Sequence, residues 1–219
     1  MAEAIKHFEE TYIRARSQLE GSFHILEAFN EAQEEAGEPK YTYNTLTEAS
    51  DMGRFGIVLA VASMDDYFTR KYAEIMVKAI KKKGVNSKFT EMLEEAGLDV
   101  AGALELLAME RPYSRIRSLA ENYYSNYTTQ STDKIDKLYE TIGIKNLSKH
   151  AQNRSKRKTL IASITKLVKR RHKIVHAGDL TRQGKLQKID LPTVKRIDHV
   201  KIFVESAEAH IEHYLKQKR

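Results

Sequence analysis

Apolar residues recur along almost the whole chain at steps of three and four. Ile5, Phe8, Tyr12, Ala15, Leu19, Phe23 and Leu26 trace one stripe, the spacing of a helix that buries a single face, and they predict a helix over about 2–36. Gly37-Glu38-Pro39 ends it. A second long helix starts near Thr47, where residues 47–50 offer capping side chains, and stops at Gly84 after Lys81, Lys82 and Lys83, cations suited to the negative end of a helix dipole. Shorter helices follow over about 87–96, 99–110, 113–127 and 132–142. A longer one runs from about Ser155 to Gly178. The polar link "DLTRQGKLQKID" then holds a small hairpin around Gly184 before a last helix over about 192–216, with Val194, Ile197, Val200, Val204, Ala207 and Ile211 on one face. No internal repeat and no low-complexity linker interrupts this all-α pattern.

Composition narrows the class. The 219 residues include ten Gly, three Pro and no apolar run of transmembrane length, which fits a soluble protein with a real core and no membrane partner. The absence of cysteine excludes disulfides and thiolate metal sites. The opening "MAEAIKHFEE" lacks an apolar segment after a basic one, so a cytoplasmic location is expected. The net charge of +7 is unevenly spread. From Thr141 to Gly178 there are eleven Lys/Arg, namely Lys145, Lys149, Arg154, Lys156, Arg157, Lys158, Lys166, Lys169, Arg170, Arg171 and Lys173, and no Asp or Glu. Such a block attracts a polyanion through counterion release, RNA or DNA above all, unless it is simply a solvated basic face.

Within that block lies "KRRHKIVHAGD", residues 169–179. Leu160, Ile164, Leu167, Val168, Ile174 and Val175 form an apolar stripe with Arg171 near its middle. A guanidinium aimed inward demands an anion. The second long helix offers one: its stripe of Phe55, Val58, Leu59 and Ala62 resumes at Tyr72, Ile75, Met76 and Ala79, and Asp65 and Asp66 interrupt it. Asp65 is therefore the expected partner of Arg171 and Asp66 the second choice, in a functional pair or a structural salt bridge. His172 and His176 stand at i and i+4, a spacing that also occurs in zinc helices. No metal or cofactor is expected, because "HKIVH" has no glutamate at its second position, and only Asp179 offers itself as a third ligand. Arg171 and His176 lie roughly 140° apart on an ideal helix. They meet at one substrate only if the helix bends near Ala177-Gly178 or if two copies face each other. His7, His24, His150, His199, His210 and His213 are expected at the surface.

Arg171-His172-Lys173-Ile174-Val175-His176 resembles the R-polar-x-x-x-H motif of HEPN-domain ribonucleases, and "ASMDDYF" resembles the family's earlier helix, whose acidic or polar residue contacts the motif arginine. The order of long helix, acidic helix, insertion, motif helix and final helix is similar too. The resemblance covers about residues 50–215 and is closest to the HEPN branch of bacterial defence and toxin systems. It implies one HEPN-like all-helical domain over 1–219, with a core of about 48–84 and 145–217 and a helical insertion over about 86–142. One departure is Gly178, where HEPN toxins paired with nucleotidyltransferase antitoxins usually carry tyrosine.

The resemblance implies an endoribonuclease working without metal. Such chemistry needs a base for the ribose 2′-OH, an acid for the leaving 5′-oxygen and fixed positive charge on the phosphorane; imidazole, which titrates near neutral pH, suits the first two roles and arginine's planar fork the third. On this reading His176 is the general base or acid, Arg171 the phosphate binder, His172 the positioning residue and Asp65 the group orienting Arg171. Lys156, Arg157, Lys169, Arg170 and Lys173 form an RNA track, and Tyr123, Tyr124 and Tyr127 supply rings for stacking bases or for the core. The implied partners are RNA, a second copy of the chain and an antitoxin or sensor protein. A catalytically inactive HEPN module that binds RNA or dimerises is the alternative.

Overall fold

The computed structural model describes residues 3–125, 129–189 and 191–217. Among them the chain forms nine helices, α1 (Glu3–Ala36), α2 (Thr47–Lys83), α3 (Ser87–Glu95), α4 (Val100–Ala108), α5 (Pro112–Ser125), α6 (Thr132–Glu140), α7 (Leu147–Ser155), α8 (Leu160–Ala177) and α9 (Leu191–Lys216). The small hairpin expected around Gly184 is present as an isolated antiparallel bridge between Leu180 and Leu186.

The central helix is α2. Buried side chains occur on nearly every side of it, from Ala49 and Ile57 through Met64, Tyr67 and Tyr72 to Met76 and Ile80, and α1, α5, α6, α8 and α9 pack around it. The line Ala4, Phe8, Tyr12, Ala15, Leu19 of α1 is buried as its periodicity requires. At Gly56 the two helices come so close that a Cβ would lie 3.0 Å from the main-chain carbonyl of Ala15, which explains a glycine in mid-helix. The short helices are capped by their own sequence: Asn86, Asp99 and Ser131 accept from the main-chain N–H of Phe89, Gly102 and Lys134. Among the described residues no helix is long and apolar enough to cross a membrane.

One element departs from the sequence expectation. The helix expected from Ser155 is preceded by a separate α7, and Lys156, with φ 57°, sits between the two. The stretch 154–159 is polar throughout, so it has no apolar position to carry a stripe across the break. Within α7 Leu147 and Ala151 are buried, a pattern too short to announce a helix.

Candidate active site

The inner line of α8 runs Leu160, Ser163, Ile164, Leu167, Arg170. The buried arginine is therefore Arg170, 8 % exposed, and Arg171 is half-buried beside it. Gly178 caps the helix at φ 57° and Asp179 follows at φ 58°. These two left-handed residues reverse the chain, the Asp179 N–H bonds back to the Lys173 carbonyl at 3.1 Å, and the Asp179 side chain turns inward to 0 % exposure. There its Oδ2 accepts from Arg170 at 2.5 Å and from Arg54 Nε of α2 at 3.0 Å. The two guanidiniums also hold the returning strand: Arg54 donates to the Gln187 carbonyl at 3.0 Å, and Arg170 donates to those of Gln187 and Lys188 at 2.8 and 3.1 Å.

This cluster corrects two expectations. Arg170 is not on an RNA-facing surface, because the carboxylate that follows the helix draws it into the core. Asp65 does not pair with Arg171: it accepts from the Thr129 N–H at 2.5 Å, the Thr129 hydroxyl at 2.6 Å and the Gln130 amide at 3.0 Å. Asp66 is taken by Arg70 at 2.7 Å. A carboxylate does meet an arginine between these two regions, but with the roles exchanged: α2 supplies Arg54 and the α8 end supplies Asp179. The sequence holds a clue to it. Between Thr141 and Ile189 there are fourteen Lys/Arg and a single acidic residue, Asp179, and an isolated carboxylate among cations is the one most readily drawn into an internal ion pair.

Of Arg171, His172 and His176, the two histidines lie on the outside. His172 and His176 are exposed, with ring centroids 4.4 Å apart and planes inclined at 44°. The Arg171 Nε is buried without a hydrogen-bond partner among the described residues. Since α8 is continuous from Leu160 to Ala177, Arg171 and His176 lie on one helix, roughly 140° apart around its axis. Lys169 and Lys173 are exposed on this turn, while Lys156 and Arg157 are exposed before the other end of the helix, an end roughly 17 Å from Arg171 at 1.5 Å per residue. Among the described residues no group of three His, Cys, Asp or Glu side chains is placed to hold a metal ion.

Two histidine contacts were not legible in the sequence, since each joins separate helices. His199 Nδ1 lies 2.5 Å from the Ser163 hydroxyl, and burial, followed by the charge of Arg157, lowers its pKa. His150 and His210 stack with centroids 4.2 Å apart and planes 8° from parallel. Burial first and His150 second hold His210 down to about 4. Of the tyrosines named for base stacking, Tyr124 is a core residue packed edge-on against Tyr72 at 4.6 Å. Tyr123 is half-buried and donates to Glu95 at 2.7 Å. Tyr127 lies outside the described residues.

The described residues form an all-α bundle with Arg171–His176 in the last turns of its penultimate helix. The RiboL-PSP-HEPN family matches the chain over residues 22–213, and the chain belongs to that family. The match extends the resemblance back into α1. Comparison with curated proteins and with solved structures finds no significant match.

Proposed function

We propose that the protein is an endoribonuclease that cleaves RNA by attack of a ribose 2′-OH on the adjacent phosphate, leaving 2′,3′-cyclic phosphate and 5′-OH ends without a metal ion in the chemical step. The observation that carries this reading is the exposed His172/His176 pair beside a half-buried Arg171, set in a run of chain whose one carboxylate is withdrawn from solvent. His176 takes the proton of the 2′-OH or returns one to the leaving 5′-oxygen. Arg171 binds the phosphate and stabilises the phosphorane. His172, in contact with His176, fixes the ring or the phosphate. Asp65 has no part in orienting Arg171, and Asp179 anchors the end of the motif helix instead. Lys169 and Lys173 continue the positive surface next to the site; Lys156 and Arg157 extend it to the far end of α8.

The separation of Arg171 and His176 around α8 supports a homodimer in which each reaction centre draws on two chains. The biological setting we propose is a cytoplasmic toxin or host-defence effector held in check by an antitoxin or released by a sensor protein. The test is incubation of the purified protein with total RNA in EDTA. Cleavage persists, the new ends are cyclic phosphate and 5′-OH, and His176→Ala abolishes cleavage with an unchanged melting temperature, since the ring is exposed. If His176→Ala cleaves like the parent, the motif is structural and the protein is an RNA-binding or dimerising scaffold. Activity lost in EDTA and regained with zinc would return His172 and His176 to a metal role.

A further inference from the structure

Residues 180–186 return from the motif helix as a tongue that is exposed along its whole length. Exposed loops of this size are ordinarily loose. This one is tied by hydrogen bonds at its base, along its strands and at its tip. Its base is the buried Arg54–Asp179–Arg170 cluster, which grips the Gln187 and Lys188 carbonyls. Its two strands exchange main-chain bonds, Thr181 N–H to the Lys185 carbonyl at 2.7 Å and Gln187 N–H to the Asp179 carbonyl at 2.8 Å. Its tip is tied by the Thr181 hydroxyl, which accepts from the N–H groups of Gln183 and Lys185 at 3.3 and 3.2 Å, and is turned by Gly184 at φ 73°.

The tongue carries two kinds of surface. Arg182 and Lys185 lie near its tip with no acidic residue in 180–189. Leu180 and Leu186, bridged to each other, are 47 % and 45 % exposed. Paired leucines left in water on an anchored support ask for an apolar occupant, and the cations beside them ask for an anionic one. A second copy of the chain would bring its own tongue, with the same cations, against this one. A nucleic acid duplex offers phosphates but hides its base faces in the stack. Unpaired RNA presents both phosphates and open base faces.

We infer that the 180–186 tongue is an RNA-strand grip next to the motif: Arg182 and Lys185 hold backbone phosphates, and the Leu180–Leu186 pair seats an unstacked base, so that the strand cut at His176 is an unpaired one. The inference rests on the ribonuclease reading for the identity of the polyanion, and its test is made independent of cleavage by working in the His176→Ala chain. Fluorescence anisotropy with a labelled unpaired RNA of about twelve nucleotides, and with a duplex of the same length, reads the affinity. Arg182→Glu with Lys185→Glu lowers affinity for the unpaired strand at least ~10-fold. Leu180→Ser with Leu186→Ser lowers it by roughly 5-fold or more and leaves duplex affinity within about 2-fold. Unaltered binding of the unpaired strand by the charge variant would overturn the proposal. So would a leucine variant that changes the mass in light scattering but not the affinity, which would make the tongue a contact between copies. Loss of wild-type cleavage alone, with these affinities as expected, would remove the nuclease and leave the grip.

Discussion

Asp179 joins three parts of the molecule through one carboxylate. It follows the Gly178 cap of the motif helix, contacts Arg54 of the central helix, and through Arg54 and Arg170 fixes the returning strand. Two guanidiniums less than a tenth exposed meet on it, although Arg54 also reaches Asp51 at 3.2 Å. Asp179→Asn keeps the shape and suits the left-handed backbone, where asparagine is tolerated, so the substitution removes charge and little else. It is expected to destabilise the fold by about 3–5 kcal/mol, the range for breaking a buried ion pair from one side. Among the described residues Asp65→Asn affects hydrogen bonds to Thr129 and Gln130 and should cost about 1 kcal/mol. Urea denaturation of both variants checks the ranking; equal losses would mean that the Asp179 cluster does not anchor the helix end. The reversal of roles between Asp65 and Asp179 also shows what the sequence leaves undecided. Periodicity placed an arginine of α8 on the inner face, but Arg170 and Arg171 differ by about 100°, and only the position of the carboxylate chooses between them.

At the scale of elements, the bounds of α1, α2 and α9 were legible almost to the residue, but the stripe read in the first half of α2 was not the buried one: Phe55 is 48 % exposed, while Ile57, Ala60, Val61 and Met64 face the core, because helices pack around α2 on nearly every side. The α7–α8 break was not legible, since a polar stretch reads equally as an exposed helical turn or as a loop. Contacts between helices distant in sequence leave no local pattern, and the His150–His210 stack between α7 and α9 is such a contact. It makes the packing of these helices sensitive to acid. Burial and the neighbouring imidazole lower the pKa of His210 from its ordinary 6.5 to about 4, so between those values the unfolded chain binds a proton that the folded chain resists. Its contribution to stability is complete above pH 6.5 and is lost as pH falls toward 4. Flanking charges from both helices act in the same sense, Arg154 from α7 and His213 from α9. His210→Gln, which cannot titrate, should therefore show a smaller fall in melting temperature between pH 7 and pH 4.5 than the parent. Parallel curves for the two would place the acid sensitivity elsewhere.

At the scale of the whole molecule, the two groups to which the proposed chemistry assigns the reaction, Arg171 and His176, lie roughly 140° apart around α8. In the proposed homodimer a twofold axis would bring the arginine of one chain and the histidine of the other to one phosphate. Val175, 47 % exposed between the two histidines, provides an apolar position on that face. The arrangement makes a quantitative prediction for mixtures. An Arg171→Ala chain and a His176→Ala chain are each inactive alone. Mixed in equal amounts and allowed to exchange, half of the dimers contain one of each. In such a dimer one reaction centre has lost both groups while the other has kept both, so about one quarter of wild-type activity returns. Light scattering at micromolar concentration should give the mass of a dimer for the parent and for both variants. If each chain held a complete centre of its own, mixing would restore nothing, and a fully active monomer would remove the need for a second chain altogether.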